Sequence, residues 1–82
     1  MEPQSEIETL RHEINRLDDE IILAISKRTE ISRTIGRIRQ ESGGGKIDPA
    51  RERIIYDKYA SIGEEGRALA DLLLQLGRGK IN

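Results

Sequence analysis

Cysteine, phenylalanine and tryptophan are absent from these 82 residues, histidine occurs once, and tyrosine and proline occur twice each. Without cysteine there is no disulfide framework, no thiolate nucleophile and no cysteine-based metal site. The lone His12 cannot assemble a metal cluster by itself. No hydrophobic run approaches the length that spans a bilayer. The stretch from Met1 to Glu6 is short and acidic, unlike a signal peptide, so a cytoplasmic location is expected. Charge of one sign is missing too: 14 basic and 15 acidic residues leave a net charge of −1. A general electrostatic grip on nucleic acid is thereby disfavoured, and any anion site must be built by local placement of arginines.

What is present is mostly Ile, Leu and Ala among 35% charged residues, a composition that fits a helical bundle better than a sheet. The spacing predicts three helices in one domain (1–82), over about 5–42, 49–61 and 65–77. Ser5 can cap the first, with Glu6 and Glu8 in its first turn. The run Ser42-Gly43-Gly44-Gly45-Lys46 breaks it. Asp48 and Pro49 restart a helix as N-cap and first helical residue. Its apolar side takes in Ile54, Ile55, Tyr59 and Ile62. Gly63 to Gly66 is a second break, and Leu69, Leu72, Leu73 and Leu76 are assigned to the inner face of the third helix. Gly77-Arg78-Gly79-Lys80 reads as a basic, flexible tail. A first helix of about 36 residues extends roughly 54 Å, far beyond a globule of this size, whose radius of gyration is near 12 Å. The remaining chain is too short to cover it, so a second copy is expected across the long helix.

Arg28 stands where the pattern of that helix calls for leucine. Positions at alternating steps of three and four (Ile7, Leu10, Ile14, Leu17, Ile21, Ala24, Arg28, Ile31, Ile35, Ile38) are apolar in nine cases of ten. A charge on a buried stripe needs a partner or a ligand; the alternative is a long side chain reaching water from an interface edge. Arg39 lies about 20° around the helix from Arg28 and roughly 16 Å along it. It is either a second cation on the same stripe or an exposed flank. Arg51, in the first turn of the second helix beside Glu52, is either turned to an anion at the helix N-terminus or engaged in local salt bridges. Arg11 is about 25 Å from Arg28 along the helix, too far for one small ligand to touch both within a chain. In an antiparallel dimer with its axis near Ile21 to Ile25, Arg11 of one copy approaches residues 31 to 39 of the other. Otherwise it is a surface arginine pairing with Asn15 or Glu8. The Gly43-Gly44-Gly45-Lys46 run is no phosphate loop: the spacing is wrong, Ser or Thr is missing after the lysine, and no strand precedes it.

Leu10-Arg11-x-x-Ile14-x-x-Leu17-Asp18-x-x-Ile21, Lys27-Arg28, Ile35-Gly36-x-x-Arg39 and Asp48-x-x-Arg51-Glu52-Arg53 together resemble the all-helical (AroQ-type) chorismate mutases. The ending Leu72-Leu73-Leu74-Gln75-Leu76-Gly77-Arg78-Gly79 looks most like the short monofunctional actinobacterial subclass. The resemblance implies an all-α, intertwined homodimer of three-helix chains, with two sites that each take Arg11 from the opposite chain. It implies an isomerase acting on chorismate, a small dianion, by Claisen rearrangement to prephenate, with no cofactor and no metal. Carried over residue by residue, Arg28 and the partner's Arg11 bind the substrate carboxylates. Arg39 donates to the ether oxygen, and Glu52 accepts from the ring hydroxyl with the backbone near Asp48. Arg51 orients Glu52, and Ile35 and Ile55 form apolar walls.

One departure stands out. Many family members carry a late Gln on the third helix beside the ether oxygen, whereas here that helix is expected to end early and Gln75 lies too far back. The resemblance also implies docking to the first enzyme of the shikimate pathway through the Arg78-Gly79-Lys80-Ile81 tail. Rival readings on the same scaffold are an isochorismate pyruvate-lyase and a mutase of 4-amino-4-deoxychorismate. From another class comes a non-catalytic helical dimerisation module.

Overall fold

The computed structural model describes residues 2–45 and 47–79. Three helices follow one another: α1 (Pro3–Glu41), α2 (Pro49–Ala60) and α3 (Glu64–Arg78). Lys46, Lys80 and Ile81, on which the glycine run and the tail reading partly rest, lie outside the described residues.

Helix α1 starts two residues earlier than Ser5. Pro3 occupies its first turn, where a missing N–H is harmless, and Glu2 stands at the N-cap. It stops where the glycine run allows. Gly43 takes φ +81°, a left-handed backbone that a Cβ disfavours. That turn lets the N–H groups of Gly43 and Gly44 donate to the carbonyls of Gln40 (3.1 Å) and Arg39 (2.6 Å). The restart is equally local: Asp48 Oδ1 accepts from the Arg51 backbone N–H at 3.2 Å, and Pro49 follows.

α3 packs on α1 and on α2, whereas α1 and α2 do not pack on each other. The inner face of α3 differs from the leucine-rich side expected above. Gly66, Ala70, Leu73 and Gly77 are buried, while Leu69, Leu72 and Leu76 are exposed. Small residues win this face because the backbones come close. A Cβ at Gly66 would run into the Tyr59 carbonyl, and one at Gly77 into the Ser32 side chain. Gly77 and Arg78 are both helical residues, and the helix runs one residue past the expected end at 77, with Gly79 as its C-cap. On α2, Ile55 is buried, but Ile54 is exposed, as is Ile62 in the turn beyond the helix.

The described residues bury only Ile55, Ala70 and Leu73 as apolar core, and no residue of α1 is buried. The seam of α1 is thus an exposed stripe in the single chain. Ile7, Leu10, Ile14, Leu17 and Ile21 each keep 41–56% of their surface. The reason is length. A radius of gyration of 17.2 Å and a long axis of 62 Å leave the first half of α1 with nothing in its own chain to cover it.

Candidate active site

The space between α1 and α2, closed at one end by the last turn of α3, is a cavity of about 770 Å³. Its α1 wall carries Arg28, Ile35 and Arg39; its α2 wall carries Arg51, Glu52 and Ile55, with Asp48 at the rim. Seven of the eight residues singled out in the sequence thus meet in one place. Arg11 does not: it lies on the exposed N-terminal half of α1, outside the cavity.

Arg28 answers the question its position raised. It is half-buried, and its Nη1 donates to the Leu73 carbonyl of α3 at 3.3 Å. One guanidinium edge is thereby tied to the scaffold and fixes the group in place, while other N–H groups remain for an incoming acceptor. Arg33, one turn further on, repeats the device with its Nε on the Leu76 carbonyl at 3.2 Å. Both bonds land on the last turns of α3, at the negative end of the helix dipole, and the Leu76 carbonyl also accepts from the Gly79 N–H at 3.2 Å. Arg39 is half-buried near the C-terminus of α1, and Asp48 is occupied by its cap, which anchors Arg51 at the mouth of α2.

The residue that sequence reasoning missed is Arg78. Assigned above to a tail, it lines the cavity from the last helical turn of α3, and its Nη2 pairs with Glu52 Oε2. The signal was available in the spacing of small residues: Gly66, Ala70 and Gly77 follow the helical period with Leu73, so Gly77 marks a close crossing and not a break. Leu74 and Arg78, four apart on the same helix, then point to one side. Gln75 faces elsewhere and donates to Asp71 Oδ2 at 2.9 Å. Asp71 in turn accepts from the Tyr56 hydroxyl at 2.7 Å, which ties α2 to α3. That carboxylate, by hydrogen bond first and burial second, holds the Tyr56 hydroxyl above its ordinary pKa.

Seven basic residues line the cavity against two carboxylates, Asp48 and Glu52. In a chain of net charge −1, this is a strongly local concentration of positive charge, suited to a small, multiply charged anion. Among the described residues no group of three or more His, Asp or Glu side chains is placed to hold a metal ion.

Comparison with known proteins gives one consistent answer. Residues 10–79 match the chorismate mutase type II family. The intracellular chorismate mutase of Mycobacterium tuberculosis is 45% identical over 80 residues, covering 98% of this chain and 76% of that protein. That of Mycolicibacterium smegmatis is 49% identical over 77 residues, covering 93% and 74%. Among solved structures, a chain of the non-covalent complex of DAHP synthase and chorismate mutase from Corynebacterium glutamicum, with bound transition-state analogue, superposes with a TM-score of 0.89. It is 50% identical and covers 96% of both chains.

Proposed function

The chain belongs to the chorismate mutase type II family, and from that premise we propose how its cavity carries out the rearrangement of chorismate to prephenate. The reaction is intramolecular. The ether C–O bond breaks as a C–C bond forms between the enolpyruvyl group and the ring, and no proton or group leaves. What a protein supplies is a chair-like conformer of a flexible dianion and positive charge where the ether oxygen gains electrons.

In this proposal Arg28, pre-fixed by Leu73, takes one substrate carboxylate, and Arg11 of the partner subunit takes the other. Arginine suits both roles as a permanently charged, bidentate donor. Arg39 donates to the ether oxygen and, as that oxygen becomes electron-rich, binds the transition state better than the substrate. Glu52 receives the ring hydroxyl, Arg51 supports that end of the pocket, and Ile35 and Ile55 supply apolar walls that hold the ring side. The observation that carries this reading is the cavity itself: arginines from three helices face one space that holds a single pair of carboxylates.

A homodimer belongs to the proposal. The bare seam of α1 and the position of Arg11 support it. The helix midpoint lies near Ile22, and a two-fold axis there carries the partner's Arg11 to the stretch between Arg28 and Arg39. A DAHP synthase is proposed as partner, supported by the Corynebacterium glutamicum complex. A cytoplasmic location is proposed on the intracellular naming of the mycobacterial relatives.

Loss of chorismate ultraviolet absorbance on adding the protein, with and without a DAHP synthase, is the test. Arg39→Ala is expected to lower kcat by about 10²–10³. Unchanged kcat in that variant would remove Arg39 from the chemistry. Equal wild-type turnover at saturating synthase would remove the partner.

A further inference from the structure

Arg78 and Glu52 form the ion pair at the α3 end of the cavity, and their side chains keep 21% and 19% of their surface. The pair is not a chance meeting of flexible ends. The last turn of α3 is held on α1 by the bonds from Arg28 to the Leu73 carbonyl (3.3 Å) and from Arg33 to the Leu76 carbonyl (3.2 Å). The close seating of Gly77 on Ser32 adds to this, so the backbone that carries Arg78 is fixed. Glu52 sits in the first turn of α2, where an acidic side chain is already favoured.

A carboxylate offers two oxygens, and Arg78 takes Oε2. Oε1 remains for one donor from a ligand. The charge available to that donor is altered more than the geometry. An unpaired glutamate would attract a cationic donor such as an ammonium far more strongly than a neutral hydroxyl. Paired with Arg78, the glutamate presents an acceptor whose net charge is cancelled, with Lys27, Arg28 and Arg39 lining the same cavity. An ammonium placed there would meet a neutral pair and surrounding cations, whereas a hydroxyl keeps its hydrogen bond and meets no such repulsion.

We propose that Arg78 is a specificity-determining residue, which by neutralising Glu52 makes the cavity select a substrate with a hydroxyl on the ring over an otherwise equal one with an ammonium. The inference rests on the mutase reading and on the assignment of Glu52 to the ring substituent, and it narrows both to one chemical choice.

The test compares chorismate with its 4-amino-4-deoxy analogue on full-length protein. The quantity read is the ratio of kcat/KM values for the two substrates, because damage to the fold lowers both and leaves their ratio alone. Arg78→Gln keeps a donor and removes the charge; Arg78→Met keeps the packing stem; Arg78→Lys keeps the charge. The Gln and Met variants are expected to shift the ratio toward the amino compound by at least about tenfold, while Lys stays within about twofold of wild type. A ratio unmoved in a folded Gln or Met variant overturns the proposal, as does a shift of equal size in the Lys variant. If one of the two neutral variants fails to fold, the other is decisive, with folding checked by circular dichroism. Wild-type protein inert toward chorismate, both alone and with a DAHP synthase, would overturn the mutase reading instead. The ratio of calorimetric affinities for the two compounds would then still decide the selectivity assigned to Arg78.

Discussion

Replacing Gly77 with alanine should destabilise this protein, although the same change in an open helix stabilises it. Alanine is better than glycine in a helix interior by about 0.8–1 kcal/mol. Gly36, with nothing within 4 Å of a Cβ, should collect that gain. Gly77 is buried where α3 crosses α1, and a Cβ there stands 2.9 Å from Ser32 Cβ and nearer still to Ser32 Oγ. Rotation of the Ser32 side chain can move the oxygen but not the Cβ, so relief stops halfway. Overpacking of this kind costs about 1–3 kcal/mol, which outweighs the helix gain over most of that range and leaves a net loss of up to roughly 2 kcal/mol. At about 4–8 °C per kcal/mol for a domain of this size, Tm should fall by up to roughly 15 °C. Gly36→Ala should raise it, and Ser32→Gly in the Gly77→Ala background should restore most of the loss. The assay is thermal unfolding by circular dichroism at one protein concentration, since the proposed dimer would make Tm depend on concentration. A Gly77→Ala protein at least as stable as wild type would refute the close crossing of α1 and α3.

Three further outcomes follow from the same geometry. Arg28→Leu restores the apolar pattern of α1 and should leave stability within about 1 kcal/mol of wild type, since one neutral-acceptor bond is exchanged for apolar contact. Its turnover should fall by at least about 10², and retention of turnover would show that the charge has no catalytic use. An Arg11→Ala chain and an Arg28→Ala chain, each inactive alone, should regain about a quarter of wild-type activity when mixed one to one and allowed to exchange. Half of the dimers are then mixed and carry one complete site of two; no recovery would mean that Arg11 serves its own chain. Tyr56, whose hydroxyl pKa is raised by its bond to Asp71, contributes stability in full below the ordinary tyrosine value, and that stability is lost as pH rises through the raised one. Tyr56→Phe should lower Tm at neutral pH and fall less steeply than wild type above about pH 10; parallel Tm curves across that range would exclude the role.

Much of the site was legible because its residues belong to helices with clear ends. Asp48-Pro49 is a local start signal and the glycine run a local stop, so the placement of Arg39, Arg51 and Glu52 at helix ends followed from neighbours in sequence. What periodicity could not supply is which element covers a stripe. The isoleucine seam of α1 is visible as a stripe, yet within one chain it is bare, because no element of the same chain covers it. The same gap misassigned α3. Leucines advertise burial more loudly than glycines, but the contact within the chain runs through Gly66, Ala70 and Gly77, and the leucines at 69, 72 and 76 face out. Arg78 was lost in the same step, because a glycine read as the end of a helix turns the next side chain into tail.

Helix α3 also works as a shim. Since α1 and α2 never meet, the width of the gap between them is the thickness of what stands between: Gly66 on the α2 side, Gly77 on the α1 side and Ala70 between them in sequence. Each is at or near the smallest side chain available, so the gap is close to its narrowest setting. A methyl group added at Gly66 or Ala70 would spread the walls without altering any wall residue. The calibre of the pocket is therefore adjustable in part from Gly66 and Ala70, which lie outside its lining, and a survey of the lining alone would find Gly77 but miss these two.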